Sequence, residues 1–240
     1  DQFNAITNII AARSLQILTR GAEFVASGGA DNPISPTNIR VANDTTFGSS
    51  GVRALRIGNA TIFVSRYGRT IREFTVDPNS VEGIFVAPDL LLLAYHLTDG
   101  ATETIVEVAY QREPVPTLWA VRADGVLLSC AYQRDQNVVA WARQSTSGTV
   151  ESIAVIPHPD GDKEQVWLLV NRTINGATKR YIEYLDDDGQ FYDQLNVDAA
   201  YTCDLGVGST CTSFVGLGHL EGRGIQIVAD GAALPMVTVS

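Results

Sequence analysis

Three cations flank a turn in the second half of the chain. Arg172, Lys179 and Arg180 bracket the dipeptide Asn175-Gly176 within the stretch VWLLVNRTINGATKRYIEYL. Guanidinium and ammonium groups gathered at one hairpin tip could bind a phosphate or a carboxylate. Lysine and arginine also protect exposed strand edges from aggregation, and they need no ligand for that role. Because the same turn design recurs along the chain, the sequence favours a solvated hairpin tip over an anion-binding finger.

A second candidate is a metal or redox site near the C-terminal end. Cys203, Cys211 and His219 follow one another at even spacing, and thiolates and imidazoles are zinc ligands. A clear fourth ligand and the close Cys-x-x-Cys spacing of a zinc ribbon are both missing from the sequence. A disulfide between the two cysteines would require an oxidising compartment. We therefore expect free thiols in a loop, with no metal and no cofactor.

Oxygen-rich and glycine-rich segments could bind an ion or a phosphate. DDDG at 186–189 and HPDGD at 158–162 carry calcium-type oxygen ligands, but neither fits the 12-residue calcium loop. Both are interpreted as acidic turns between strands. GLGHLEG at 216–222 resembles a loop that cradles phosphate, which requires a strand before it and a helix after it. The following RGIQIVADG has a strand pattern instead, so nucleotide binding is not indicated.

The sequence singles out no catalytic constellation. It has no Gly-x-Ser-x-Gly turn around a nucleophile and no cysteine framed by a histidine. Nothing singles out a hydrolytic pair among its 27 acidic residues. The tryptophans lie inside strand patterns, which favours core packing over a platform for sugar stacking. The histidines of the chain are His96, His158 and His219, and its tryptophans are Trp119, Trp141 and Trp167.

The hairpin that carries the cations is one of four similar units. In each, a glycine separates two runs rich in valine, isoleucine, leucine and aromatic residues, which is the sequence signal of a β-hairpin. The glycines lie 47, 57 and 51 residues apart. Antiparallel units repeated every roughly 40 to 50 residues are typical of propeller blades. The predicted turns are Arg20-Gly21, Tyr67-Gly68, Asp124-Gly125 and Asn175-Gly176.

The predicted strands are apolar on both faces. In GVLLSCAY, one face carries Val126, Leu128, Cys130 and Tyr132, and the residues between them, such as Leu127, are also largely apolar. Two apolar faces indicate sheets that are covered on both sides. We therefore predict an all-β fold: a β-propeller-like array of antiparallel hairpin blades, incomplete in this chain. A β-sandwich built from the same hairpins is the alternative.

Further strands complete several units. NIRVAND, DLLLLAYHL and NVVAWARQS follow the first three hairpins, and TETIVEVAY and VESIAVIPH lead into the next units. Residues 86–97 could instead form a short helix, because Pro88 and Asp89 suit a first helical turn. We expect about four blade units over residues 1–202, the last of them short. A Gly-rich linker and the start of a further small β unit are expected over residues 203–240.

Composition narrows the class of protein. The chain has 240 residues, of which 45% are hydrophobic, so it can bury a sizeable core. Its net charge of -10 disfavours sequence-independent DNA binding, which depends on cations. No apolar run reaches the roughly 18 residues of a transmembrane helix, so membrane insertion is not expected. The chain starts without a leader and ends in a strand pattern, which predicts a piece of a longer protein.

Five segments, in order along nearly the whole chain, carry a family resemblance. They are ISPTNIRVANDTTFGSSGVRALRIGNATIFVSRYGRTIREF, IFVAPDLLLLAYHL, LWAVRADGVLLSCAYQRDQNVVAWARQST, VESIAVIPHPDGDKEQVWLLVNRTINGATKRYIEYL and GLGHLEGRGIQIVADG. Together they are similar to the tail nozzle proteins, also called tail tubular protein B, of short-tailed bacteriophages and prophages.

The resemblance implies a structural virion protein of the phage tail that bears a β-propeller. It implies a homo-oligomeric ring, typically a hexamer, which binds the tail adaptor protein and has tail fibres as further partners. Genomic DNA would pass through the channel of this ring, which gates ejection, without specific binding. The family brings no catalytic residues, so we expect that this protein is not an enzyme.

Two other functions fit the same pattern of strands. A propeller-type glycan hydrolase would need a cleft with two carboxylates about 5 to 10 Å apart. A glycan- or receptor-binding tail module would need an exposed aromatic platform, with Trp119 or Trp141 turned outward. Fold alone does not separate these functions, because propellers serve many.

Overall fold

The computed structural model describes residues 4–29, 32–81, 83–161, 163–186, 213, 215–229 and 232–240. The regular structure of this part of the chain is nearly all β, arranged as four successive antiparallel sheets followed by two small two-stranded pairs. The predicted fold class is confirmed: the protein is a β-propeller-like array of antiparallel hairpin blades. In these residues, no helix is long and apolar enough to cross a membrane.

Each sheet is a meander whose strands follow one another in sequence, and we number the sheets blade 1 to blade 4. Blade 1 contains β1 (Ile6–Ala11), β2 (Leu15–Thr19), β3 (Glu23–Ser27) and β4 (Arg40–Thr45). Blade 2 contains β5 (Leu55–Ile57), β6 (Ala60–Val64), β7 (Ile71–Val76) and β8 (Phe85–Val86). Blade 3 contains β9 (Ile105–Gln111), β10 (Thr117–Arg122), β11 (Leu127–Gln133) and β12 (Val138–Gln144). Blade 4 contains β13 (Thr149–Pro157), β14 (Glu164–Ile174) and β15 (Ala177–Tyr184).

The four predicted hairpins are confirmed, and in every blade they join the second strand to the third. The turn of blade 4 explains why Asn175-Gly176 stands there. Both residues have positive φ, 47° for Asn175 and 77° for Gly176. A two-residue hairpin turn whose backbone twist matches that of the strands requires this left-handed pair, which asparagine and glycine adopt most easily.

The core lies between the blades, one apolar cluster for each pair of neighbours. Phe63 and Phe74 of blade 2 pack with Leu18 and Val25 of blade 1. Other clusters join blade 2 to blade 3 and blade 3 to blade 4. Every sheet between two others therefore buries both faces, as the two-sided apolar pattern of the sequence predicts.

Blade 3 shows this alternation directly. Cys130 and Leu128 face blade 2, whereas Leu127 faces blade 4. The Cys130 thiol is buried, and this burial raises its pKa to about 12. A thiol of such high pKa is a structural apolar group rather than a nucleophile.

The first strands form the inner row of the array. β5 lies against β9, and β9 lies against β13. In blade 1, the Asn8 side chain continues the row: its Nδ2 donates to the Val52 carbonyl at 3.0 Å, and its Oδ1 accepts from the Ala54 N–H at 3.0 Å. The sheets thus follow one another around a common inner edge.

One predicted outer strand is wrong. DLLLLAYHL does not form the outer strand of blade 2, because β8 takes that place. Leu92–Leu97 forms a 3₁₀ helix instead, which agrees with the predicted alternative of a short helix in this segment. Leu91, Ala94 and Leu97 are buried while Leu92 and Leu93 are exposed. This spacing of three buries one side of a helical turn, and a strand would have required a spacing of two.

Blade 4 has three strands among the described residues. The C-terminal part contains a 3₁₀ helix (Leu217–Leu220) and four two-residue strands: β16 (Gly224–Ile225), β17 (Val228–Ala229), β18 (Ala232–Ala233) and β19 (Val237–Thr238). β16 pairs with β19, and β17 pairs with β18. The predicted domain boundary at residues 202 and 203 lies outside the described residues.

Candidate functional site: the hairpin rim

The chemically distinctive groups of the protein gather along one rim of the array. We define the hairpin rim as the turns between the second and third strands of the blades, together with the segments that lead from one blade to the next (46–54, 87–104 and 145–148). These two sets of loops meet because each blade begins beside the preceding hairpin. The Ile105 N–H donates to the Gly68 carbonyl at 2.7 Å, and the Val150 N–H donates to the Gly125 carbonyl at 2.8 Å.

Gly125 shows how tightly these loops are packed. It has a positive φ of 85°, and a Cβ at this position would lie 2.4 Å from the Thr149 Cβ. Both the turn conformation and the approach of the next blade therefore require glycine.

Arginines join consecutive blades at this rim. In three blades, an arginine near the end of the second strand donates to a main-chain carbonyl of the segment that enters that blade. The bonds are Arg66 Nε to Phe47 O (3.2 Å), Arg122 Nη1 to Leu97 O (2.6 Å) and Arg172 Nη1 to Ser147 O (3.0 Å). A guanidinium suits this role because it presents several donors in a fixed plane and never loses its charge.

Arg122 is the most deeply buried of these joints. Its Nε donates to Asp124 Oδ1 at 2.9 Å, and its Nη2 donates to Glu103 Oε1 at 2.8 Å. The hydrogen bond from Arg122 lowers the pKa of Asp124. The pKa of Glu103 is lowered as well, mainly because its carboxylate accepts the Gly100 N–H. The Arg122 guanidinium thus ties the hairpin turn of blade 3, through Asp124, to the loop between blades 2 and 3, through Leu97 and Glu103.

The cations that suggested an anion-binding finger are largely engaged within blade 4. Arg172 is buried, and it donates to both carboxylate oxygens of Glu183, at 2.6 and 2.7 Å. Arg180 Nε donates to Glu151 Oε2 at 2.6 Å. Lys179 is exposed on the same hairpin. Two of the three cations therefore serve the sheet itself, which agrees with the interpretation as a turn.

A buried carboxylate lies between blades 1 and 2. Glu23 is fully buried, and it accepts hydrogen bonds from Thr45 Oγ1 at 2.5 Å and from the Phe47 N–H at 3.2 Å. Arg72 lies nearby, with its guanidinium 3.5 Å from the centre of the Phe47 ring. These contacts lower the pKa of Glu23, but the burial of its carboxylate has the larger effect and raises the pKa above its ordinary value of 4.5.

Replacing Glu23 by glutamine is expected to flatten the pH dependence of stability. Since the folded protein binds the Glu23 proton more tightly than the unfolded chain, the free energy of unfolding falls as the pH rises from 4.5 through the raised pKa. One such group contributes a slope of at most about 1.4 kcal/mol per pH unit. Urea unfolding of Glu23→Gln at several pH values should lack this slope.

The control removes a donor instead of the charge. The Thr45 hydroxyl stabilises the Glu23 anion, so Thr45→Val should raise the pKa of Glu23 further. The fall in the free energy of unfolding should then continue to higher pH. A Glu23→Gln protein with the same slope as the original would show that another group titrates in this range.

The remaining candidate motifs do not assemble a site. His158 and Asp160 belong to the turn between β13 and β14, and Asp162 of the same motif lies outside the described residues. His219 Nδ1 lies 3.2 Å from the Gly216 carbonyl. The segment around it forms only a short 3₁₀ helix, Leu217–Leu220, and β16 follows that helix. Among the residues that the structure describes, no three metal-ligating side chains cluster. Cys203, Cys211 and the segment 187–189 lie outside the described residues.

The tryptophans are used for packing in blade 3. Trp119 is buried and its Nε1 donates to Gln111 Oε1 at 3.3 Å. Trp141 is half-buried, and its Nε1 donates to the Leu90 carbonyl at 2.8 Å. Neither ring turns outward to form the platform that a glycan-binding module would need. Trp167 is half-buried on blade 4 and contacts Tyr184, with ring centres 5.3 Å apart.

A polar cavity of 420 Å³ opens at the rim beside blade 4. Hydroxyl and amide groups line it together with one guanidinium, and none of the described lining residues is a carboxylate. The lining residues are Ser147, Gly148, Thr149, Asn171, Thr173, Thr178 and Arg223. Such a surface can hydrogen-bond a polar ligand.

Sequence reasoning missed the joining role of the arginines and the burial of Glu23. The sequence does contain a signal for the joining arginines, because an arginine precedes each turn glycine by one to four residues. These arginines are Arg20, Arg66, Arg122 and Arg172. Nothing in the sequence distinguishes Glu23 from exposed glutamates, because its burial comes from the neighbouring blade.

The fold and its rim define a β-propeller-like protein whose blades are joined by arginine-to-carbonyl bonds. No protein-family model matches the chain, and no curated protein sequence matches it. Among solved structures, it is similar to Kluyveromyces lactis Hsv2 (complete loop 6CD), with a TM-score of 0.43 and 12% identity. The match covers 70% of this chain and 46% of that chain, so this chain spans less than half of its length. At so low a TM-score, the similarity supports no inference about function.

Proposed function

We propose that this protein is a structural, non-enzymatic component of a phage tail, forming part of the nozzle ring through which DNA is ejected. The observation that carries the proposal is the ordered resemblance of five sequence segments to the tail nozzle proteins. The geometry of the rim is compatible with it, because the arginines and carboxylates are engaged in joining blades. A conduit needs a rigid wall more than it needs a reactive site.

The charge of the chain supports a channel that does not hold DNA. Duplex DNA carries one negative charge per roughly 1.7 Å of its axis, and a protein of net charge -10 repels it at short range. The described inner strands contain two acids, Glu107 and Glu151. Glu107 accepts the Ile153 N–H at 3.1 Å, and Glu151 pairs with Arg180. We therefore place the repelling charge on loops rather than on the inner strands.

The test is the mass and symmetry of the protein with its tail adaptor, measured by mass photometry and negative-stain imaging. We expect a ring, typically of six copies, with a channel wide enough for duplex DNA, in complex with the adaptor. A monomer or a trimer that does not bind the adaptor would contradict the proposal. The matched control is the same measurement without the adaptor, which separates self-assembly from recruitment.

The polar cavity beside blade 4 favours a second candidate, a glycan-binding tail module. Its hydroxyls, amide and guanidinium could hydrogen-bond a sugar that bears a carboxylate. Binding on a glycan array that is lost in Arg223→Met would support this function. A glycan-hydrolysing activity gains no support from the cavity, because its lining residues, as far as the structure describes them, include no acid.

A further inference from the structure

A second buried carboxylate lies between blades 2 and 3. Glu73, on β7, is 1% exposed, and its N–H donates to the Pro88 carbonyl at 3.1 Å. Its carboxylate meets blade 3, where Arg134 Nη1 lies 3.0 Å from Glu73 Oε2. The buried Tyr132 of β11 faces the same carboxylate. Because a buried charge is costly unless it is paired, this ion pair supports an ionised Glu73 in the interface.

Arg134 reaches this carboxylate from a surface loop. Residues 134–137 join β11 to β12 at the end of blade 3 opposite the hairpin rim, and all four are exposed. The Asn137 N–H donates to the Arg134 carbonyl at 3.0 Å, so the backbone of the loop bonds to itself. Among the described residues, the ion pair of Arg134 with Glu73 is the one polar contact that joins this loop to blade 2.

The neighbouring bases and phenols leave Arg134 as the counter-charge of Glu73. Tyr132 packs edge-on against Tyr110 of β9, with ring centres 6.4 Å apart. Arg72, the neighbour of Glu73 on β7, points to the opposite face of blade 2. Neither tyrosine carries a positive charge, and the one nearby arginine on β7 faces away.

Two further acids stand on segments close to this ion pair. Asp89 accepts the Leu91 N–H through its Oδ1 at 2.8 Å, so it serves the turn in which it lies. Asp135 follows Arg134 in the loop and is exposed. Asp135 is therefore the acid that could compete with Glu73 for the Arg134 guanidinium, and it provides a matched control.

Ionisation of Glu73 and docking of Arg134 favour one another. Burial has the largest effect on the pKa of Glu73 and raises it above its ordinary value of 4.5, while Arg134 and Tyr132 lower it. Because such a coupling is reciprocal, a proton that binds to Glu73 weakens the hold of the carboxylate on Arg134. The raised pKa brings this event closer to neutral pH than in an exposed glutamate.

We propose that residues 134–137 form a pH-dependent clasp between blades 2 and 3. The loop is docked on blade 2 while Glu73 is ionised, and it is released when Glu73 takes up a proton from the solvent. Release leaves a neutral carboxyl group in the interface, where it costs less to bury than a carboxylate. It also frees the Arg134 cation at the end of blade 3 opposite the hairpin rim.

This inference goes beyond the proposed function and does not depend on it. Its test is made on the protein without the adaptor and measures a loop rather than a ring. Failure of one proposal therefore does not imply failure of the other.

Two quantities should change in opposite directions with pH. As the pH rises from 4.5 through the raised pKa, Glu73 loses its proton, and its contribution to the free energy of unfolding falls. Over the same range the loop should become better protected, because Arg134 gains its counter-charge. A general loosening of the protein would instead lower stability and loop protection together.

The test is hydrogen-exchange mass spectrometry of the 240-residue chain between about pH 5 and pH 8, with labelling times scaled to the intrinsic exchange rate at each pH. We expect peptides that cover residues 134–137 to exchange about fivefold or more faster at the acidic end. Glu73→Gln keeps the shape of the side chain without its charge, so it should show the fast exchange at every pH. Circular dichroism checks that this variant is folded.

Two variants of the loop separate the counter-charge from its surroundings. Asp135→Asn should keep the pH response, because the exposed acid is not the partner of Arg134. Arg134→Met should raise the pKa of Glu73 further, so the fall in the free energy of unfolding should continue to higher pH. A side chain that only packs against blade 2 would not move this profile.

Three results would overturn the proposal. The first is an original chain whose loop exchanges at the same rate, fast or slow, at both ends of the pH range. The second is a pH response that survives in Glu73→Gln, since another group would then control the loop. The third is loss of the response in Asp135→Asn, which would make Asp135 the acid that holds Arg134.

Discussion

Replacing Phe63 by alanine is expected to lower the free energy of unfolding by about 3 to 5 kcal/mol. Phe63 is fully buried in the cluster between blades 1 and 2, beside Leu18 and Phe74. Its removal loses the transfer free energy of the ring and leaves a cavity that two rigid sheets cannot collapse to fill. Since whole domains are stable by only about 5 to 15 kcal/mol, this change is a large part of the total.

The measurement is chemical denaturation followed by tryptophan fluorescence, with Tyr67→Ala as the matched control. Tyr67 lies in the turn of the same hairpin, is 73% exposed, and contacts the Arg66 guanidinium at 5.3 Å. Its loss should cost no more than about 1 kcal/mol, the size of an exposed cation–π contact. If both variants lost the same amount, the cluster between blades 1 and 2 would not be the core that we describe.

Replacing Arg122 by methionine is expected to destabilise the protein by about 3 kcal/mol. The Arg122 side chain is 4% exposed, and its loss leaves the Leu97 carbonyl without a donor and Asp124 and Glu103 without their cation. Removing one partner of a buried ion pair typically costs about 3 to 5 kcal/mol. We choose the lower end because both carboxylates are partly open to water.

The pH dependence gives a second readout for Arg122. The pKa of Asp124 is held below its ordinary value of 3.8 by the Arg122 hydrogen bond. The stability it contributes is therefore present above pH 3.8 and is lost as the pH falls through the lowered pKa. Arg122→Met should lack this acid-side loss in urea unfolding below about pH 4.

An exposed arginine serves as the control for this change. Arg112 pairs with Glu164 at 3.0 Å and is 68% exposed, so Arg112→Met should cost less than about 1 kcal/mol. An Arg122→Met protein as stable as Arg112→Met would mean that the rim is not held by its buried guanidinium. The rim would then be open for contacts with other molecules.

The hairpins were determined by the sequence alone, since their causes are local. Alternating apolar residues define strands, and Asn175-Gly176 supplies the two left-handed residues of a tight turn. Both apolar faces of GVLLSCAY predicted a sheet covered on two sides, which the clusters around blade 3 confirm. The fold class also follows from the sequence, because every blade repeats the same antiparallel hairpin.

The tertiary structure decided which polar groups are available for function. Arg172 could be a ligand-binding cation by its sequence, but the fold places Glu183 and the Ser147 carbonyl against it. Glu23 is buried only because blade 2 covers it. Leu92–Leu97 forms a 3₁₀ helix because its apolar residues must meet a cluster built by two blades. These outcomes depend on contacts between residues far apart in the chain, which no local pattern encodes.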